Sequence, residues 1–197
     1  MKKIVNAMIA SSFLFNMVAA VAGEAVNAST SPVKNRYQNL VGTYAGVQGG
    51  IGIPHDDSSN IGPALGLQVG HGFANGFRVE GAFMWLNNEN NSRHNFFEVR
   101  ETYNNYRFMM NAYYDFSTGT VVTPFLGAGI GWSYTHINAE SGVIFLGSNN
   151  SLAVQGIAGL AFQLNEHWTL DTTYHLRRDD FFGGQSLVTV GLNYFFK

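Results

Sequence analysis

Between residues 43 and 53 the side chains change character at every step. Thr43, Ala45, Val47, Gly49, Ile51 and Ile53 share one face, and Tyr44, Gly46, Gln48, Gly50 and Gly52 share the other. A period of two, rather than 3.6, predicts a β-strand. The alternation recurs over 64–73, 77–86, 103–116, 122–135, 152–164, 168–177 and 186–196. In 77–86, for instance, Phe77, Val79, Gly81, Phe83 and Trp85 oppose Arg78, Glu80, Ala82 and Met84. Eight strands are therefore expected, each near the ~9–11 residues that a tilted strand needs to cross hydrocarbon.

The connections alternate too. Residues 74–76, 117–121 and 165–167 are short, and the first carries the Asn75-Gly76 hairpin signal. Residues 54–63, 87–102, 136–151 and 178–185 form longer, polar links. Short turns at one rim and long loops at the other are the layout of outer-membrane barrels, with turns periplasmic and loops extracellular. The expected fold is all-β, an eight-stranded antiparallel up-and-down transmembrane β-barrel over 43–197, preceded by a short periplasmic segment at 29–42.

Alternation alone leaves open whether the apolar face meets lipid or a soluble core, and composition settles that choice. Charged residues make up 12% of the chain, aromatic residues 14%, and glycines number 23. About 25% charge is usual for a soluble domain. The polar faces carry Gly, Ala, Gln and charges of both signs but no Lys, which suits the crowded inside of a narrow barrel rather than a wetted exterior. On the apolar faces Phe77, Trp85, Tyr106, Phe116, Trp132, Tyr134, Trp168, Tyr194 and Phe196 gather near strand ends, as aromatic girdles do at headgroup depth. A closed sheet also leaves no unpaired edge in lipid. The apolar face is read as lipid-facing.

The N-terminus changes the picture once more. Lys2 and Lys3 precede a largely apolar stretch at 4–22, followed by two small-x-small sites, Ala20-Val21-Ala22 and Val26-Asn27-Ala28. Residues 1–28 read as an export signal cleaved after Ala28, or after Ala22. Cysteine is absent, so no disulfide framework or thiol chemistry is available. The formal net charge of −2, with scattered Lys and Arg, argues against nucleic acid as a partner.

Three segments resemble a known family. They are 123–131 (Thr-Pro-Phe-Leu-Gly-Ala-Gly-Ile-Gly), 164–171 (Leu-Asn-Glu-His-Trp-Thr-Leu-Asp) with Tyr174 downstream, and the closing 190–196 (Val-Gly-Leu-Asn-Tyr-Phe-Phe). Together they are similar to opacity-type and related OmpA-like small outer-membrane β-barrels. The resemblance implies a bacterial outer-membrane location, contact with lipid and lipopolysaccharide, and outward loops serving adhesion, serum resistance or wall integrity. The last strand, with Val188, Val190, Leu192, Tyr194 and Phe196 at every second position, resembles the signal read by the barrel assembly machinery, although Lys197 follows the terminal aromatic.

Candidate chemistry divides between the lumen and the loops. Arg78, Glu80, Arg107, Asp115, Asp171, His175 and Arg177 fall on inward faces. Buried charges must be compensated, so a paired network plugging the barrel is expected; a gated pore with His175 as its titrating group is the functional version. Phe96, Phe97, Tyr103, Ile144 and Phe145, in or beside the long loops, are the candidate contacts for a host-surface ligand, or else simple strand extensions. No enzyme is expected: His175-Leu176-Arg177 lacks the serine of a His-x-Ser pair, and His136-Ile137-Asn138 lacks a serine nucleophile two residues on. Gly127-x-Gly129-x-Gly131 has strand spacing and opens no helix, so it is no phosphate loop. No metal or cofactor is expected. The function expected is a surface-exposed structural barrel with adhesive loops; the alternative is a narrow channel for small or hydrophobic solutes.

Overall fold

The computed structural model describes residues 40–55, 61–94, 97–139, 147–179 and 183–197. Residues 1–28, read as the signal, lie outside them. Eight strands follow one another: β1 Gly42–Pro54, β2 Gly62–Gly72, β3 Phe77–His94, β4 Phe97–Asp115, β5 Val122–Ala139, β6 Gly147–Gln163, β7 Trp168–Asp179 and β8 Gly183–Phe196. Each pairs antiparallel with the next, and β8 returns to β1 with Phe196 opposite Thr43, closing the barrel. Closure satisfies every strand edge internally, which is what hydrocarbon demands.

Alternation places the faces as the apolar pattern requires. Val47, Leu67, Phe108, Met110, Leu126, Ile130 and Trp132 are all more than half exposed on the outer wall. Neighbouring Gln48, Gln68, Arg107, Asn111 and Thr123 are buried. Outer aromatic side chains gather into two belts. Near the short turns Phe77 packs edge-on against Tyr114 (5.3 Å), Tyr114 against Phe116 (5.1 Å), and Trp168 against Tyr194 (5.1 Å). Towards the other rim Phe83 contacts Phe108 (4.9 Å) and lies near Tyr106, which neighbours Tyr134.

The lumen is packed by a rule visible in the register. A large inward side chain on one strand sits across from a glycine on the next: Tyr44 opposite Gly70, Tyr113 opposite Gly127, Phe125 opposite Gly159, Asn111 opposite Gly129. An eight-stranded barrel has room for one such group per level and wall, so the neighbouring position must be empty. A Cβ at Gly70 would lie 2.5 Å from the Tyr44 ring and 2.6 Å from the Val79 carbonyl oxygen. At outward Gly81 it would meet nothing within 4 Å. Gly70→Val is therefore expected to lower folded stability by about 1–3 kcal/mol through overpacking, and Gly81→Ala to leave it nearly unchanged. Urea midpoints of the detergent-folded protein check both; equal midpoints would contradict the packing rule.

Two expectations need correction. Residues 87–102 and 136–151 are not open loops: β3 and β4 stay paired up to His94 opposite Phe97, and β5 and β6 up to Ile137 opposite Gly147. The run Asn87-Asn88-Glu89-Asn90-Asn91 has weak strand propensity and no apolar alternation, so the sequence offered no signal there. Once lower residues hold two strands in register, each further pair adds ladder hydrogen bonds without a new loop closure. The second correction concerns the interior, which is bulkier than a lining of small and polar residues. Phe195, with no exposed surface, and Leu187 at 4% face inward alongside Tyr44, Met84 and Phe125.

Candidate functional site

Arg78 organises the half of the lumen near the short turns. It stands second in β3, and its side chain is 2% exposed. Nη2 donates to Asp115 Oδ1 at 3.2 Å, and Nη1 lies 3.6 Å from Asp171 Oδ2. Since β3 and β7 stand opposite each other in the ring of eight, the second contact crosses the lumen. The guanidinium lies over the Tyr113 ring (4.6 Å) and the Phe125 ring (4.8 Å), with Tyr44 at 5.7 Å. Below it Tyr44 packs on Phe195 at 4.9 Å, and with Leu40 these rings close the lumen floor.

Two strand positions above Arg78, Glu80 accepts three hydrogen bonds: Tyr44 Oη at 2.7 Å, Tyr113 Oη at 2.7 Å and Asn111 Nδ2 at 3.0 Å. Asn111 Oδ1 in turn accepts from Gln155 Nε2 at 2.7 Å. On the other wall Asn193 donates to Asp171 Oδ2 at 2.7 Å and accepts from Gln68. Two hydrogen-bonded sets result, one around Arg78 and one around Glu80, and the Tyr44 and Tyr113 rings beside the guanidinium bring them together.

A second strut crosses nearer the other rim. Arg107 on β4 donates Nη2 to Gln185 Oε1 on β8, and these strands are again opposite. Arg177 is the register partner of Gln185 and is 3% exposed. His175 lies between the two levels, its Nε2 3.4 Å from Thr189 Oγ1. All seven candidate lumen residues are at most 6% exposed. Arg78, Glu80, Asp115 and Asp171 come together in one cluster; Arg107, Arg177 and His175 stand apart from it. Sequence reading missed the neutral members Tyr44, Gln68, Asn111, Tyr113, Gln155, Gln185 and Asn193; all but Gln185, which fell in the expected 178–185 link, had inward parity in the alternating runs as a usable signal.

Of the candidate loop contacts, Phe96, Ile144 and Phe145 lie outside the described residues, and Phe97 and Tyr103 fall within β4 rather than in a loop. At the long-loop rim an unforeseen cluster forms on the outer wall. Ser186 Oγ is 2.8 Å from His55 Nε2 and 2.7 Å from Tyr174 Oη, while His55 N donates to the Gly184 carbonyl at 3.0 Å. A serine–histidine pair becomes a nucleophile when the histidine is oriented by a third group and the serine is reachable. Here Ser186 is 7% exposed, and among the described residues no carboxylate bonds His55. The cluster ties the ends of β1, β7 and β8 together. Nor do three His, Asp or Glu side chains converge in a metal-binding group among the described residues.

A closed antiparallel barrel of eight strands with two aromatic belts and a polar lumen holding a buried ion cluster has the features of an outer-membrane protein. The family model of the outer membrane protein beta-barrel domain matches residues 13–196. The chain belongs to that family. It is thus a barrel of the bacterial outer membrane, with lipid and lipopolysaccharide around its outer wall. Among solved structures this outer-membrane barrel is similar to Neisserial surface protein A (14% identity, TM-score 0.59, covering 78% of this chain and 97% of that one). It is also similar to Ail, the attachment invasion locus protein of Yersinia pestis, solved with the heparin analogue sucrose octasulfate (15%, 0.54, 79% and 97%). OprG of Pseudomonas aeruginosa is a third such structure (15%, 0.53, 80% and 97%). At these identities the likeness concerns the fold. No curated protein matches the sequence.

Proposed function

We propose that this barrel is a non-enzymatic surface protein that meets ligands outside the cell, host surfaces among them, through the wall formed by β3 to β6. The observation that carries this reading is strand length. β3, β4, β5 and β6 have 18, 19, 18 and 17 residues, against 13, 11, 12 and 14 for β1, β2, β7 and β8. A crossing consumes about 9–11 residues. The longer four therefore stand above the bilayer by most of their surplus, and only on one side of the barrel. A paired, rigid hairpin presents contacts at lower ordering cost than a loose loop. That one of the similar proteins is an attachment invasion locus protein agrees with an adhesive role. Export by the 1–28 signal and recognition of β8 by the barrel assembly machinery complete the proposal, with Phe96, Phe97, Tyr103, Ile144 and Phe145 as contact candidates.

The test replaces residues 90–101 by Asn-Gly, which joins Glu89 to Thr102 in a two-residue hairpin. The shortened barrel should keep its heat-modifiable gel shift yet lose adhesion of expressing cells to host cells and matrix. Unchanged adhesion would overturn the assignment to this wall. In planar bilayers the intact protein should show no discrete openings, because two struts and a ring-packed floor obstruct the lumen. Regular single-channel steps would favour the channel instead.

A further inference from the structure

The outer wall changes chemistry in steps along β3, β4 and β5. Phe83, Phe108 and Trp132 are register partners across the three strands. Two residues nearer the long-loop rim, Trp85, Tyr106 and Tyr134 form the next row, and two further on Asn87, Asn104 and His136 form a third. Two residues of strand rise about 7 Å, and three strands side by side span about 10 Å. None of these nine side chains is buried.

The middle row differs from the belt near the short turns. There Phe77, Tyr114 and Phe116 meet edge-on at 5.3 and 5.1 Å, so each edge covers part of a neighbouring ring face. Here Tyr106 and Tyr134 stand 6.5 Å apart with their planes inclined by 33°, and Tyr106 lies 6.5 Å from Phe83 at 19°. Rings so spaced and so nearly parallel do not cover one another's faces. Trp85 Nε1 donates to Asn104 Oδ1 at 3.3 Å, and Asn87 Nδ2 donates to the same oxygen at 3.0 Å, which ties the indole to the amide row above it. The arrangement is also one-sided. At the long-loop ends of the other wall the outward positions include Ile51, Pro63, Leu65, Leu176 and Val188, and the ring of Tyr174 carries a hydroxyl 2.7 Å from Ser186 Oγ. A girdle that only anchored the barrel would run around it.

We propose that this face of β3, β4 and β5 is a saccharide-binding platform, and that its occupant is the sugar headgroup of lipopolysaccharide in the outer leaflet. The rows follow the order of that amphiphile: acyl chains against Phe83, Phe108 and Trp132, sugar rings against Trp85, Tyr106 and Tyr134. A pyranose offers a face of C–H groups that lies flat on an aromatic face, where many weak contacts sum. Its hydroxyls both donate and accept, as the amides of Asn87 and Asn104 do. Trp and Tyr lose little conformational freedom in such contacts. Rings and amides act without net charge, so the platform needs no uncompensated ion. It continues the lipid-facing wall and lies outside 90–101, so it stands apart from the adhesive reading.

Isothermal titration of the detergent-folded protein with delipidated lipopolysaccharide core oligosaccharide tests it, with N-acetyllactosamine as a second probe. Saturable binding of the core oligosaccharide is expected. Trp85→Leu combined with Tyr106→Leu should weaken it about tenfold or more. Trp168→Leu, in the other belt, should leave it unchanged, and Tyr106→Phe, which keeps the ring, should bind as wild type. If the double variant loses its heat-modifiable band, Tyr106→Leu alone should still weaken binding several-fold. The barrel with 90–101 replaced by Asn-Gly keeps every platform residue and should bind unchanged even where its adhesion is lost. No saturable binding by the wild type, equal binding by a folded leucine variant, or loss of binding in the shortened barrel overturns the proposal. Tighter binding of N-acetyllactosamine than of the core oligosaccharide would make the occupant a glycan from outside and overturn the assignment to lipopolysaccharide.

Discussion

Arg78→Leu is expected to destabilise the folded barrel by about 3–5 kcal/mol, the range for removing one partner of a buried ion pair. Leucine approximates the buried stem, so the loss is electrostatic more than steric. It would strand Asp115 and Asp171 with no cation within 4 Å among the described residues. It would also leave the Tyr113 and Phe125 rings without the cation stacked on them. The midpoint of the heat-modifiable transition reads the effect. Combining Arg78→Leu with Asp115→Asn and Asp171→Asn should recover much of it, since a neutral cluster no longer requires a counter-ion. A single variant as stable as wild type would show that this ion cluster contributes nothing to the fold.

The second large effect concerns Glu80. Its two oxygens take three donors, two of them phenols at 2.7 Å. Glu80→Ala would leave all three donors in the lumen without their acceptor, at about 1–3 kcal/mol for each that finds no water. Glu80→Gln keeps one acceptor oxygen and turns a donor towards a phenol, so its cost should be smaller. Tyr44→Phe and Tyr113→Phe each remove one donor without orphaning the acceptor, and should cost least. The predicted order in urea midpoints is wild type, the Tyr→Phe variants, Glu80→Gln, then Glu80→Ala. A Glu80→Ala barrel more stable than Glu80→Gln would mean that the phenols are satisfied elsewhere.

Much of the architecture was legible before the structure. Val47, Leu67, Phe108 and Trp132 stand on the lipid side because side chains alternate along a strand whatever its neighbours are. Asn75-Gly76 marked the β2–β3 turn, where Gly76 adopts φ 89°. The continuation of β3 and β4 beyond residue 86 was not legible. Residues Asn87 to Asn91 carry no apolar alternation, so a reading built on that pattern has nothing to report there.

Inward parity is a local property, and it assigned Arg78, Glu80, Arg107, Asp115, Asp171, His175 and Arg177 to the lumen side without any knowledge of pairing. Which of them meet is set by register and closure. Asp115 reaches Arg78 from the neighbouring strand, whereas Asp171 lies 93 positions away in sequence and arrives only because β7 stands across the ring from β3. Sequence by itself therefore determined the strands, their outward face and the inventory of buried charge, because these follow from a period of two and the cost of polar groups in lipid. Tertiary structure alone decided the partnerships, because the distance across a barrel depends on how many strands close it and how far each is staggered against the next.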